Sequence, residues 1–81
     1  MKADVRADSF TAPHYDAIPA QIRQAIEARI PAGGYLSVTH GGRSFRARVY
    51  VGTVCIAESL PCSHVETAAL QAVRRAEAVA A

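Results

Sequence analysis

Apolar residues recur at every second position in three consecutive stretches of the chain, and at helical spacing in two others. The alternating stretches are Tyr35–His40 (YLSVTH), Arg43–Val51 (RSFRARVYV) and Val54–Ser59 (VCIAES). Alternation of this kind marks strands with one buried face. Gly41-Gly42 and Gly52-Thr53 separate them. Both dipeptides suit two-residue hairpin turns, because Gly accepts a positive φ. A turn at Gly41-Gly42 sets Val38 opposite Phe45 and Leu36 opposite Ala47. A turn at Gly52-Thr53 sets Val51 opposite Val54 and Val49 opposite Ile56. All eight side chains then share one apolar face, and a one-residue slip in either hairpin would turn half of them outward. The other face carries Tyr35, Ser37, Thr39, Ser44, Arg46, Arg48, Tyr50, Cys55 and Ala57.

The helical stretches flank this sheet. Ile18, Ile22, Ala25, Ile26 and Ile30 form one stripe of a helix that opens at Asp16 or Ile18, with Pro19 in its first turn. Pro31 and Gly33-Gly34 end it. After Pro61, Ser63-x-x-Glu66 has the form of a capping box. The helix that follows places Val65, Ala69, Ala72, Val73, Ala76 and Val79 on one stripe and Thr67, Gln71, Arg74, Arg75 and Ala78 towards water. Only one sheet face is apolar, so both helices must cover that face. The predicted fold is α+β, a two-layer α-β-β-β-α domain with a three-stranded antiparallel sheet. Residues 1–15 lack periodicity and are expected to be a flexible N-terminal tail, leaving residues 16–81 as the single domain.

Composition narrows the function classes. The chain has 81 residues, 51% hydrophobic and 20% charged. That suits a globular domain with a small core. The uncharged stretch Val49–Ala57 is of strand length, and no uncharged stretch reaches the roughly 20 residues of a membrane-spanning segment. Asp4, Arg6 and Asp8 stand where a signal peptide needs an apolar run, so a cytoplasmic location is expected. Two cysteines, Cys55 and Cys62, read as free thiols in a reducing compartment. A net charge of +2 is far below that of a strongly basic nucleic-acid binder, so a basic patch must come from placement.

The order of elements resembles the double-stranded-RNA-binding domain over about residues 16–80. The segment DAIPAQIRQAIEARI is similar to that family's first helix, and Tyr35 stands where the family often opens its first strand with Tyr. FRARVYVG resembles its second strand and turn, and SHVETAALQAV its last helix. The resemblance implies the α-β-β-β-α fold and RNA contacts at the start of the last helix and in the first hairpin turn. Here those positions hold His64, Val65 and Ala68, and His40-Gly41-Gly42-Arg43, in place of the family's lysines and its Gly-Pro-x-His turn.

The outward-facing Tyr35, Arg46, Arg48 and Tyr50 form the first candidate site. Tyr and Arg are enriched at protein interfaces, and the same residue types stack bases and hold phosphates. The expected function is a non-enzymatic interaction module, contacting a protein partner or a second copy through this face. Weak RNA binding is the alternative, with Arg23, Arg43, His40 and His64 as candidate contacts. A reactive thiol at Cys62, beside Ser63 and His64 at a helix start, is the third. No cofactor is expected. His40, Cys62 and His64 match no zinc spacing, so no metal is expected either. Arg74 and Arg75 are explained by the helix dipole, with Glu77 beside them.

Overall fold

The computed structural model describes residues 4–80. Within them the chain forms β1 (Asp4–Ala7), α1 (Thr11–Asp16), α2 (Ala20–Ala28), β2 (Gly34–Gly41), β3 (Ser44–Val51), β4 (Val54–Glu58) and α3 (Val65–Ala80). The sheet has four strands in the order β1-β2-β3-β4. It is mixed: β1 runs parallel to β2, and the other neighbours are antiparallel. The α+β class holds, and the expected three-stranded antiparallel sheet with two helices gains a parallel strand and a third helix. No helix among the described residues is long and apolar enough to cross a membrane.

The two additions come from the stretch expected to be a tail, of which residues 1–3 lie outside the described residues. In β1, Val5 and Ala7 are half-buried while Asp4 and Arg6 are exposed. A parallel neighbour needs a crossover connection, and α1 and α2 supply it. The turn into α1 is made by Asp8, whose carboxylate accepts the Thr11 backbone N–H at 2.7 Å. That bond holds the Asp8 carboxyl below its ordinary value. Tyr15 of α1 is 5% exposed, and its hydroxyl donates to Glu27 Oε2 of α2 at 3.2 Å.

Burial, followed by the nearby Glu27 carboxylate, pushes the Tyr15 phenol well above its ordinary value of 10.0. The folded protein therefore keeps this proton where the unfolded chain gives it up. The stability it contributes is complete below about pH 10 and declines as the pH rises beyond that. Urea titrations between neutral pH and pH 11 should show this alkaline decline in the native chain and a shallower one in Tyr15→Phe. Equal slopes would disprove the coupling.

The hairpins keep the expected faces but not every expected pair. Gly42 (φ +63°) and Arg43 form the β2–β3 turn, so Leu36 pairs with Val49 and Val38 with Ala47. The register thus differs by two residues from that of a Gly41-Gly42 turn, and a two-residue shift leaves every side chain on its own face. Gly52 (φ +62°) opens the second turn as expected, with Val51 opposite Val54. A β-bulge then intervenes: Tyr50 pairs with Cys55, but Val49 pairs with Ala57, leaving Ile56 as the extra residue. Ala57 is therefore buried rather than outward, and Ile56 is half-buried against the core. Val54, beside the turn, is 62% exposed rather than covered.

Ser59 anchors the chain beyond the bulge. Its N–H donates to the Ala47 carbonyl at 2.8 Å, and its hydroxyl oxygen accepts the Ala47 N–H at 2.9 Å. Cys62 and Phe45 then exchange backbone hydrogen bonds of 2.7 and 2.9 Å. These contacts aim α3 across the sheet, where it packs on β2, β3 and β4. Ala68, Ala69, Ala72, Val73 and Ala76 are fully buried there. Val79 is 63% exposed, against expectation. The first helical bond runs from the Ala68 N–H to the His64 carbonyl. His64, not Ser63, therefore holds the cap position that the capping box requires. Residues 16–19 precede α2 instead of opening it, since Pro19 is its cap residue. Ile18 and Ile26 are core residues, whereas Ala25 of the expected stripe is exposed. α1 lies over β1 and β2, and α2 leans on α3.

Candidate functional site

The helices leave the reverse of the sheet open, and strand parity decides what stands on it. Asp4, Arg6, Tyr35, Ser37, Thr39, Arg46, Arg48, Tyr50, Cys55 and Glu58 share that face through the observed pairings. The four expected residues Tyr35, Arg46, Arg48 and Tyr50 are all there, and the cross-strand pair Tyr35↔Tyr50 brings the two rings together. Their centroids are 5.1 Å apart, and the planes are only 14° from parallel. The guanidinium carbon of Arg6 lies 3.9 Å from the Tyr35 ring centroid. The result is a three-rung ladder, Arg6–Tyr35–Tyr50, running across β1, β2 and β3. A cation over a phenol ring is stabilised by about 0.5–1 kcal/mol at an exposed site.

A second row crosses the sheet beside it. Arg48 Nε lies 3.4 Å from Glu58 Oε2, and that contact raises the Arg48 pKa above its already high value. Arg6 similarly meets Asp4 at 3.0 Å. Arg46 is exposed and has no carboxylate partner among the described residues. The face therefore presents three guanidinium groups against two carboxylates, with one cation uncompensated.

Of the residues suggested as RNA contacts, His40 and His64 share a neighbour, Phe45. Arg23 donates from Nε to the Ile18 carbonyl at 2.9 Å and so braces the link between α1 and α2. Arg43 is exposed in the β2–β3 turn. His40 packs on Phe10 and Phe45, with centroids 4.4 and 4.8 Å away. His64 lies with His14, Phe45 and Glu66 in an open groove of about 520 Å³ beside the start of α3. His14 also touches Phe45 at 5.3 Å. Residues of the expected tail thus help to build this end of the molecule. Val65 and Ala68, at the start of the last helix, are buried.

The thiols are separate. Cys62 is half-buried and donates to the Leu60 carbonyl at 3.1 Å. Cys55 is exposed beside Tyr50 on the outer face. Among the described residues, no group of three His, Cys, Asp or Glu side chains is placed to hold a metal ion.

No known protein family, curated protein or solved structure matches this chain. Its function therefore has to be argued from its own surfaces. Sequence reasoning missed Arg6 and Asp4 on the outer face. The only signal for them was the four-residue alternation Asp-Val-Arg-Ala.

Proposed function

We propose that this chain is a non-enzymatic binding module that holds an acidic protein partner on the open face of its sheet. The Arg6–Tyr35–Tyr50 ladder carries the reading. Its side chains are already held by one another, so binding orders them at little further entropic cost. Tyr and Arg are also the residue types that dominate interface energetics. The excess of guanidinium groups, with Arg46 unpaired among the described residues, favours a partner of opposite charge. The same excess disfavours two copies meeting face to face.

Nucleic acid is the second reading, and one observation favours it. Tyr50 keeps the ring face turned away from Tyr35, and Arg46 lies two positions beyond Arg48 on the same strand. That offers one stacking surface and one free cation. Mutual stacking of the tyrosines covers two of the other ring faces and the Arg6 guanidinium covers the third, whereas single-strand binders stack successive bases. For duplex RNA, burial of Val65 and Ala68 removes two of the positions that the family resemblance implies.

The test is in-cell crosslinking with the native chain and with an Arg46→Glu/Tyr50→Ala double variant, identifying captured proteins by mass spectrometry. Each hot-spot truncation typically costs about 2 kcal/mol, or roughly 30-fold in affinity. The double variant, confirmed to be folded by its thermal melt, should lose a protein that the native chain and Arg23→Ala both retain. An unchanged set of captured proteins would reject the outer face. A salt-sensitive affinity for single-stranded RNA that falls in the same variant would transfer the site to the second reading.

A further inference from the structure

Among the described residues the sheet ends at β4, whose outer edge has no neighbouring strand. Ser59 donates its N–H inward to Ala47, so by antiparallel alternation the N–H and carbonyl of Glu58 point outward. Two side chains of α3 stand where a fifth strand would bond. Arg75 Nη1 donates to the Glu58 carbonyl at 2.8 Å, and Gln71 Oε1 accepts the Leu60 N–H at 2.6 Å. Gln71 and Arg75 are one helical turn apart and line an open groove of about 370 Å³ on the flank of α3, together with Leu70 and Arg74. Leu60, at the end of this edge, is 56% exposed.

The charge of the flank is not offset locally. Glu77, the nearest acid along α3, is drawn to Arg29 at 3.7 Å. Glu58 turns its side chain to Arg48. Arg74 and Arg75 have no carboxylate partner among the described residues. Contrary to the expectation from sequence, Arg74 and Arg75 lie more than a turn before the end of α3, whose last turn holds no basic residue, so the helix dipole accounts for neither.

We propose that the β4 edge and the Arg74–Arg75 flank together form a second docking site, for an extended acidic segment of a partner protein that adds to the sheet as a fifth strand. Main-chain bonds to β4 would supply affinity. Alternate carboxylates laid along α3 would supply selectivity through Arg74 and Arg75. Gln71 and Arg75 act as stand-ins that protect the edge until the segment displaces them. A second copy of this chain is a poor occupant, since edge-to-edge pairing would bring a like-charged flank against the first.

The test uses a short fluorescein-labelled peptide alternating Thr and Glu, the same peptide with Lys for Glu, and the acidic peptide with alternate backbone amides N-methylated. Anisotropy gives affinity, and amide NMR shifts on the full chain give location. The acidic peptide should shift Val54–Leu60 and the exposed flank of α3. Its binding should weaken at least about tenfold in Arg74→Glu/Arg75→Glu, and by a similar factor on N-methylation. Gln71→Ala should tighten it by freeing the Leu60 N–H. Arg74→Gln/Arg75→Gln repeats the charge test if the reversal disturbs folding. Any of four results would overturn the proposal: no binding up to about 1 mM, equal binding of the Lys peptide, indifference to N-methylation, or a dimer paired through β4.

Discussion

A chain that begins at Ile18 should lose the cooperative thermal transition of the 81-residue chain. The deletion removes Tyr15, buried to 5% exposure, and the buried Thr11. It also strips β1 from the edge of β2, opening the backbone groups of a strand that now lies inside the sheet. Truncating a buried aromatic costs about 3–5 kcal/mol, whereas a domain of this length has roughly 4–12 kcal/mol in total. Losing the strand pairing as well should leave little folded protein at room temperature. Circular dichroism melts of the deletion, with Tyr15→Ala as the milder variant, give the measurement. A deletion that melts within a few degrees of the full chain would return residues 1–15 to the status of a tail.

That segment shows where sequence reading stops. β1 has four residues and α1 has six, too few for either period to stand out. Their order comes from contacts distant in sequence: β1 with β2, and the Tyr15 hydroxyl with Glu27. The long alternating strands were legible because parity survives small errors. The β2–β3 register differs from the expected one by two residues, yet Leu36, Val38, Ala47 and Val49 still face inward. The bulge at Ile56 had a single trace: unbroken alternation would set Glu58 on the apolar face with Val54 and Ile56, whereas the bulge turns it outward to Arg48. Beyond the bulge, Ser59 is tied to Ala47 through both its N–H and its hydroxyl oxygen.

The same contrast applies to the surfaces. Tyr35, Arg46, Arg48 and Tyr50 were assigned by parity on long strands, and the structure places them together on the open face. Arg6 joins them through a strand too short to recognise. Glu77 appeared to neutralise Arg74 and Arg75 because it is their neighbour in sequence. Its actual partner is Arg29, on the loop after α2, and no pattern within α3 could have shown that.

Neighbouring residues of β3 provide the sharpest test of the architecture. Val49 is fully buried beneath the helical layer, while Arg48, on the reverse, is half-exposed and paired with Glu58. Val49→Asp would place a carboxylate in the core opposite Ala57 and Leu36, neither of which has a side-chain donor. An uncompensated buried charge costs about 3–5 kcal/mol, comparable with the whole stability of a small domain. Arg48→Ala removes a partly exposed ion pair worth at most about 1 kcal/mol after solvent screening. Urea denaturation should therefore find Val49→Asp largely unfolded and Arg48→Ala close to the native midpoint. A one-residue slip of β3 would reverse the two results, and a two-residue slip would leave them unchanged. The comparison thus reports the parity of β3 alone, and the proposed binding surface on the open sheet face depends on it. A folded Val49→Asp with a native-like midpoint would mean that Arg46, Arg48 and Tyr50 of β3 do not face solvent.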